Sequence, residues 1–253
     1  MAIGRNELLA ALDSELRASS FRDYCPNGLQ VEGCDEISVI VSGVTACQAL
    51  LDKAVELDAD AILVHHGYFW RGEDERLVGM KARRIRTLLQ AGINLFAYHL
   101  PLDCHPTMGN NAGLARAMGF TQWQGIDPDD STHPVFRGEL DSGERLGDIV
   151  ARLESELERE VLTVGDRAAS IQSVAWCTGG GQGYIAEAAS AGVDLFVTGE
   201  VSEQTVHVAR ERGLAFIAAG HHATERFGAR NLGAWVAKRF DIEHHFVDIG
   251  NPA

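Results

Sequence analysis

The sequence lacks several features that define whole classes of protein. No apolar stretch approaches the roughly 18 residues that a membrane-spanning helix needs, so no membrane span is predicted. The five cysteines among the 253 residues are odd in number, scattered, and without a CxxC pair. This pattern argues against a disulfide framework or a thiolate zinc site, and it favours reduced thiols in the cytoplasm.

A secretory signal is missing as well. The first 20 residues contain neither a continuous apolar core nor a small-residue cleavage site. Leu8, Leu9, Leu12 and Leu16 recur on one helical face instead, so this segment is predicted to form an amphipathic helix. We therefore expect a cytoplasmic protein.

Positive charge is scarce. The chain has 22 Lys and Arg residues against 36 Asp and Glu residues, which gives a formal net charge of −14. Such a surface repels phosphate backbones, so nucleic acid is not an expected partner. A small anionic substrate stays compatible with this charge if metal cations supply local positive charge.

Short apolar or β-branched runs alternate with helical patterns, which is typical of α/β architecture. The predicted strands are Ile37–Val44, Ala61–Val64, Ile93–Tyr98, Val174–Cys177, Leu195–Thr198, Leu214–Ala219 and Glu243–Asp248. Helical patterns between them include Ala46–Glu56, Glu144–Leu157 and Glu225–Arg239.

The chain contains an internal repeat. Residues 40–66 resemble residues 174–200, and placing Asp60 over Asp194 aligns this strand–turn–helix–strand segment without a gap. A further strand follows in each copy, after about 13 extra residues in the first. The pattern predicts a duplication of βαβ-type units with right-handed crossovers. The alternative is the general similarity that all such units share.

The boundary between the two units is predicted in QWQGIDPDDSTHP, where Gly, Pro, Asp and Ser cluster. The first unit is then residues 1–124, and the second is residues 125–221. Residues 222–253 are expected to return to the first unit and complete it.

The run AILVHHGYF ends a predicted buried strand in His65 and His66. Adjacent strand residues point to opposite sides, but we expect Gly67 to permit an unusual dihedral angle where the chain turns. Both imidazoles would then face one crevice at the carboxyl edge of the sheet. The alternative is one packed and one solvated histidine.

Two more predicted strands lead into similar residues. INLFAYHLPLDCHP runs into His99, Asp103 and His105, and LAFIAAGHHATE runs into His221, His222 and Glu225. His221 and Glu225 are four positions apart at a predicted helix start, so their side chains share a face.

Three strand ends thus carry imidazoles, two of them with a carboxylate close behind. Imidazole and carboxylate together suit Zn, Mn, Fe, Ni or Co. Five such ligands are more than one catalytic ion usually takes, and they match two ions roughly 3.5–4 Å apart that share a bridging carboxylate. A polar crevice with hydrogen-bonded histidines is the alternative.

Two weaker signals lie in the second copy. TGGGQ, residues 178–182, follows a strand and opens a helix, so its amides could cradle a phosphate. It lacks the lysine of a P-loop, and a plain turn is the favoured interpretation. Glu200 aligns with His66 and is either an acid/base group, a group supporting the metal site, or a solvated acid at a helix start.

The segments GVTACQALLDKAVELDADAILVHHGYFWRG, YHLPLDCHPTMGNN, CTGGGQ, TGEVSEQTVH and GHHATER closely resemble the GTP cyclohydrolase I type 2 homologue family. Its members are also described as Ngg-interacting-factor-three-like dinuclear metal proteins. The resemblance runs from DYCPNGLQVEG to the last residues. It implies two three-layer α/β units with the metal site in the cleft between them, in a toroidal homohexamer. From this resemblance we expect the short form, without an inserted domain.

The resemblance also implies roles for individual residues. It implies two divalent ions per subunit, drawn from Fe, Mn, Zn or Ni, with Glu225 bridging them. The implied metal ligands are His65, His66, Asp103, His221 and Glu225. The implied catalytic candidates are Glu225, His99 beside the metals, and Glu200 and His222 as proton carriers.

The function expected from this resemblance is that of a metal-dependent hydrolase. It would act like a GTP cyclohydrolase on a purine nucleotide or a related small molecule, through metal-activated water. The alternatives are a metal-dependent phosphoesterase and a non-catalytic, metal-handling toroidal assembly. Open coordination positions would favour hydrolysis.

Overall fold

The computed structural model describes all 253 residues and divides the chain into two compact α/β units. Unit 1 comprises Met1–Gly109 and Arg226–Ile249, and unit 2 comprises Asn110–Glu225 and Gly250–Ala253. The chain therefore leaves unit 1, builds unit 2, and returns to finish unit 1.

Strands and helices alternate along most of the chain. The strands are β1 (Ile3–Gly4), β2 (Gly28–Val31), β3 (Glu36–Ile37), β4 (Val39–Thr45), β5 (Ala61–His66), β6 (Asn94–Ala97), β7 (Thr121–Gly125), β8 (Phe136–Arg145), β9 (Leu162–Val164), β10 (Ser170–Cys177), β11 (Leu195–Thr198), β12 (Ala215–Ala218) and β13 (Glu243–Phe246). The helices are α1 (Arg5–Leu16), α2 (Gln48–Glu56), α3 (Gly79–Ala91), α4 (Leu100–Asp103), α5 (Asn110–Met118), α6 (Leu146–Leu157), α7 (Ile185–Ser190), α8 (Glu203–Arg212), α9 (His221–Thr224) and α10 (Arg226–Phe240). None of these helices has the length and apolar character needed to cross a membrane.

Unit 1 has three layers around a sheet of order β13-β4-β5-β6-β2. β13, β4, β5 and β6 are parallel, and β2 is antiparallel at the edge. Leu63 and Phe96 pack on the side of α1 and α10. Their neighbours Ile62 and Leu95 pack on the side of α2 and α3. Because side chains alternate along a strand, both faces of the sheet are apolar and both are covered by helices.

Unit 2 is built around a second mixed sheet, of order β7-β8-β10-β11-β12-β9. Its central strands β10, β11 and β12 are parallel. Phe196 and Phe216 pack against the helices α7 and α8. Trp176, fully buried, donates a hydrogen bond from Nε1 to the carbonyl of Asn111 in α5, 3.1 Å away. The two units thus confirm the predicted α/β class.

Strand register confirms the internal repeat. Ala61 of β5 pairs with Asn94 of β6, 33 positions later. Leu195 of β11 pairs with Ala215 of β12, 20 positions later. The first copy therefore carries 13 extra residues, as the alignment predicted.

Equivalent aspartates make the same hydrogen bonds in the two copies. Asp60 Oδ2 accepts hydrogen bonds from the amide and the hydroxyl of Ser38, both at 2.7 Å. Asp194 Oδ2 accepts them from the amide and the hydroxyl of Ser173, both at 2.9 Å. Each aspartate ties the end of one crossover to the neighbouring strand, which fixes the start of the next parallel strand.

The units divide at other positions than the sequence predicted. Residues 110–124 were assigned to the first unit, yet β7 pairs with β8 of unit 2, with Gly125 opposite Phe136. Residues 222–225 were assigned to the returning segment, yet they also lie in unit 2. The first four residues of the Gly- and Pro-rich segment lie in β7, and the rest connects β7 to its partner β8 within unit 2, so the segment is not a linker.

Candidate metal centre

In unit 1, a histidine at the end of β5 faces a carboxylate. His65 is fully buried, and its Nδ1 lies 3.0 Å from the carbonyl oxygen of Tyr98. A carbonyl only accepts, so Nδ1 carries the proton and Nε2 offers a lone pair. His65 Nε2 lies 3.4 Å from Oδ1 of Asp103, which ends the one-turn helix α4 directly after β6. His65 Nε2 and Asp103 Oδ1 thus lie close enough to contact the same ion.

Two further imidazoles lie beside this pair. The ring of His66 is 4.5 Å from that of His65, and the ring of His99 is 5.0 Å from it. One ring nitrogen from each of the three residues lies within 4.8 Å of the others. Despite strand alternation, the two adjacent histidines therefore do present donors to one place.

Position 67, directly after the two histidines, requires glycine for a different reason from the one predicted. Its φ angle is not positive, so an unusual dihedral is not what requires glycine. A Cβ atom there would lie 2.2 Å from Oε1 of Gln30, which accepts a hydrogen bond from the amide of Tyr68 at 2.7 Å. Close approach of the Gln30 side chain is what excludes a larger residue.

In unit 2, a second histidine lies between two carboxylates. His221 Nε2 is 3.2 Å from Glu225 Oε2, which confirms that these residues share one side of the chain. His221 Nδ1 is 2.7 Å from Glu200 Oε1, and the other oxygen of Glu200 accepts a hydrogen bond from Gln182. Glu200 therefore contacts Nδ1 of the imidazole, while Glu225 lies next to Nε2 on the opposite side of the ring.

These carboxylates change the titration of the imidazole. Burial acts to lower the pKa of His221, but the hydrogen bond and charge of Glu225, and then those of Glu200, outweigh it. The net effect raises this pKa from 6.5 to about 9. This end of unit 2 strongly favours positive charge.

The glycine-rich turn uses two of its backbone amides in hydrogen bonds within unit 2. The amide of Gly179 donates to the hydroxyl of Thr224, and the amide of Gly181 donates to the hydroxyl of Thr198, both at 3.0 Å. These amides are therefore already used within unit 2. The plain-turn interpretation is the one that the contacts support.

Gly179 has a second role. Its φ is +67°, and a Cβ atom on it would lie 2.0 Å from Glu225 Oε1 and 3.1 Å from His221 Nε2. Only glycine lets the backbone approach both donors this closely.

The remaining catalytic candidates have distinct surroundings. His222 is 8% exposed, and its amide donates to the carbonyl of Ala253 in unit 2. His99 Nδ1 lies 2.7 Å from Oδ1 of Asp23. Sequence reasoning missed Asp23, which is 76 positions from its partner. The available signal was its place in DYCPNGLQ, where a Pro-Asn-Gly turn introduces a strand.

Cys25 adds a thiol close to this pair. A donor atom of Asp23, Cys25 and His99 each lies within 4.8 Å of the others. Burial, and then the charge of Asp23, raise the pKa of the Cys25 thiol to about 12. The neutral thiol is therefore favoured over the thiolate at this position.

The donor sets of both units fit divalent metal ions. Each pairs an imidazole Nε2 with a carboxylate oxygen, and each holds the other ring nitrogen of that histidine on an oxygen. That outer hydrogen bond is a regular feature of metal-binding histidines, because it fixes the tautomer and the ring orientation.

Fold and side chains together define a class of duplicated α/β proteins with histidine–carboxylate clusters at strand ends. The profile of Duf34/NIF3 (NGG1p interacting factor 3) matches residues 3–252. The chain belongs to this family.

The similarity to known proteins extends over the whole chain. The "GTP cyclohydrolase 1 type 2 homolog" of Pseudomonas aeruginosa is 55% identical over 253 residues, covering 100% of both chains. Among solved structures, protein ybgI is 51% identical with a TM-score of 0.94, covering 99% of this chain and 100% of its own. TTHA1606 from Thermus thermophilus is 36% identical with a TM-score of 0.90, again covering 99% and 100%.

Proposed function

We propose that the protein is a metal-dependent hydrolase that uses two divalent ions, drawn from Fe, Mn, Zn or Ni. The proposed ligands are His65, His66 and Asp103 of unit 1 together with His221 and Glu225 of unit 2. The proposal that both units serve the same ions comes from the family resemblance.

One observation carries the proposal. In each unit a histidine Nε2 lies 3.2 or 3.4 Å from a carboxylate oxygen, with its Nδ1 on a second oxygen. Two donors at this separation can share one ion at ordinary bond lengths of about 2.0–2.2 Å. A pair that served only packing would not need both nitrogens oriented in both units.

Divalent ions bound there would activate water as a nucleophile and polarise the bond under attack. The side chains of the chain supply the rest. His99, held by Asp23, exchanges protons with the reacting groups. Glu200 orients His221, and the buried His222 is a further candidate proton carrier.

A purine nucleotide or a related small molecule is the proposed substrate class. The Pseudomonas aeruginosa relative cited above carries a name that refers to GTP. The indole of Trp70 lies 5.8 Å from the ring of His66 and 4.9 Å from that of His99, so an aromatic surface adjoins the unit 1 donors. Bound cations would offset the repulsion between substrate phosphates and a chain of net charge −14.

Metal-loaded protein tested against GTP and related nucleotides decides between catalysis and mere binding. Glu225→Ala removes a proposed ligand and is expected to lower turnover by more than about 100-fold. Glu203→Ala removes an exposed carboxylate at the start of α8 and should leave turnover unchanged. Equal turnover in both variants contradicts the proposed centre.

Tight metal uptake without turnover on a broad substrate panel would instead favour a metal-handling assembly. For either role we propose a homohexamer, with a mass in light scattering of about six 27.4 kDa chains.

A further inference from the structure

Asp23 is one of the most firmly held carboxylates of unit 1, with a side chain only 3% exposed. Its Oδ1 accepts the amide of Tyr24 at 2.6 Å and Nδ1–H of His99 at 2.7 Å. Its Oδ2 accepts the side-chain amide of Asn27 and the backbone amide of Leu100, both at 2.9 Å. Four donors converge on one carboxylate, so its position and orientation are fixed.

The same contacts keep this carboxylate charged. Burial acts to raise the pKa of Asp23, but the hydrogen bond and charge of His99, and then the bonds from Asn27 and Tyr24, hold it at about 2. An ionised carboxylate can only accept a hydrogen bond. The nitrogen that faces it must therefore carry the proton.

His99 is fixed from its other sides as well. Its backbone amide donates to Oδ1 of Asn27 at 2.7 Å. The indole of Trp70 stands nearly perpendicular to the imidazole, with ring centroids 4.9 Å apart. His65 and His66 lie 5.0 and 5.7 Å away by the same measure. No group of the chain hydrogen-bonds to Nε2, so this nitrogen is left for a bound molecule.

We propose that Asp23 is a positioning residue that holds His99 in the Nδ1–H tautomer, so that Nε2 serves as the acid/base group of the proposed hydrolysis. This inference rests on the proposed function. The oxygen of the attacking water bonds to the substrate while its proton passes to Nε2. The resulting imidazolium, stabilised by Asp23, returns that proton to the leaving group as the old bond breaks.

The tautomer can be measured without any turnover. Nitrogen-15 NMR of histidine-labelled, metal-free protein reports which ring nitrogen carries the proton, and His99→Gln assigns the signal. In the wild type, the neutral form of the His99 ring is expected to carry its proton on Nδ1 and not on Nε2. Asp23→Asn should yield a mixture of tautomers, because an amide can present either its oxygen or its NH2 group. A neutral wild-type His99 that carries its proton on Nε2, or a tautomer unchanged in Asp23→Asn, overturns the role of Asp23.

Kinetics tests the catalytic part separately. Asp23→Asn is expected to lower kcat by about 100-fold with little change in KM, since positioned proton transfer contributes about 10²–10⁴-fold. Asp13→Asn is the matched control, because Asp13 accepts the hydroxyl of Tyr98 at 2.7 Å and makes no contact with His99. Equal kcat in both variants overturns the catalytic role of His99. A wild type inactive on every substrate contradicts the hydrolase proposal itself, whereas the NMR result still decides on Asp23.

Discussion

At the scale of single residues, the histidines of the two units differ in the charge of the groups around them. His65 lies between a neutral carbonyl and one carboxylate, whereas His221 lies between the carboxylates of Glu200 and Glu225. Two negative charges around one imidazole attract a proton, and they attract a metal ion for the same reason. We therefore expect the contact of Glu200 with His221 to influence cation binding more than the contact of the Tyr98 carbonyl with His65.

Glu200→Gln tests that influence. The amide keeps the size of the side chain but removes the charge behind His221, and it can present a donor where an acceptor is needed. Affinity for a divalent ion is expected to fall about 10–100-fold in calorimetric titrations. Glu203→Gln, on the exposed start of α8, is the control and should bind as the wild type does. Unchanged affinity in Glu200→Gln would mean that the contact with His221 plays no part in metal binding.

Gly179→Ala tests the close approach in the glycine-rich turn. The new Cβ would lie 2.0 Å from Glu225 Oε1, on a backbone with φ of +67°. We expect destabilisation of about 1–3 kcal/mol from the strained backbone, together with loss of metal binding as Glu225 is displaced. Chemical denaturation and metal titration measure the two effects.

Gly183→Ala is the matched substitution, because a Cβ there meets no atom within 4 Å and its φ is not positive. It should change neither quantity. A Gly179→Ala variant that behaves like it would show that the turn can move away from Glu225 at little cost.

At the scale of elements, parallel strands were the easiest to predict. They are covered on both faces, so they appear in sequence as continuous apolar runs. Leu195–Thr198 has the predicted bounds, and Ala61–Val64 was only extended to His66. β8 was missed because only one of its faces is buried, so Phe136 and Leu140 stand among charged and glycine residues. Antiparallel strands with one exposed face, such as this one, give a weak signal in a single sequence.

Some residues of the candidate site could likewise be predicted from local sequence, and others could not. Histidines directly after apolar strands are a local signal, so the donors at the ends of β5, β6 and β12 could be proposed from the sequence. The contact of Asp23 with His99 and that of Trp70 with His66 depend on tertiary packing. No spacing rule connects such residues, and only the folded unit brings them together.

The element pair α10 and β13 contains a histidine expected to make stability depend on pH. His244 Nε2 lies 2.7 Å from the hydroxyl of Ser42, and α10 approaches it so closely that a Cβ on Gly233 would lie 2.1 Å from Nε2. Burial, and then the charge of His245, lower the pKa of His244 from 6.5 to about 4. The unfolded chain therefore binds a proton between pH 6.5 and 4 that the folded chain does not.

Stability from this residue is complete above pH 6.5 and is lost as the pH falls toward 4. His244→Gln keeps a polar group near Ser42 but does not titrate. Between pH 7.5 and 4.5, the wild type should lose about 1–2 kcal/mol more free energy of unfolding than the variant, after allowance for solvent screening. Urea denaturation at both pH values measures the difference, and identical losses would contradict it.

At the scale of the whole molecule, the proposed ions would connect stability to metal supply. A ligand that binds only the folded chain, at about 100 times its Kd, adds about 2.7 kcal/mol to the free energy of unfolding. We expect a shift of this size in thermal or urea unfolding when the preferred ion is added, and its reversal by a chelator.

His65→Ala and Glu225→Ala, one in each unit, should both abolish that shift if the ions draw on both donor sets. A full shift in one variant and none in the other would mean that the ions are held by a single unit.

The repeated strand–turn–helix–strand segment has a consequence for how the two halves can change. Position 66 of the first copy aligns with position 200 of the second; the first carries an imidazole at the end of β5, and the second carries a carboxylate just after β11. The central parallel strands of the two copies thus match, while the residues at their ends and the 13 residues inserted in the first copy differ. Either half can therefore be re-engineered at its strand ends without redesigning the sheet that supports it.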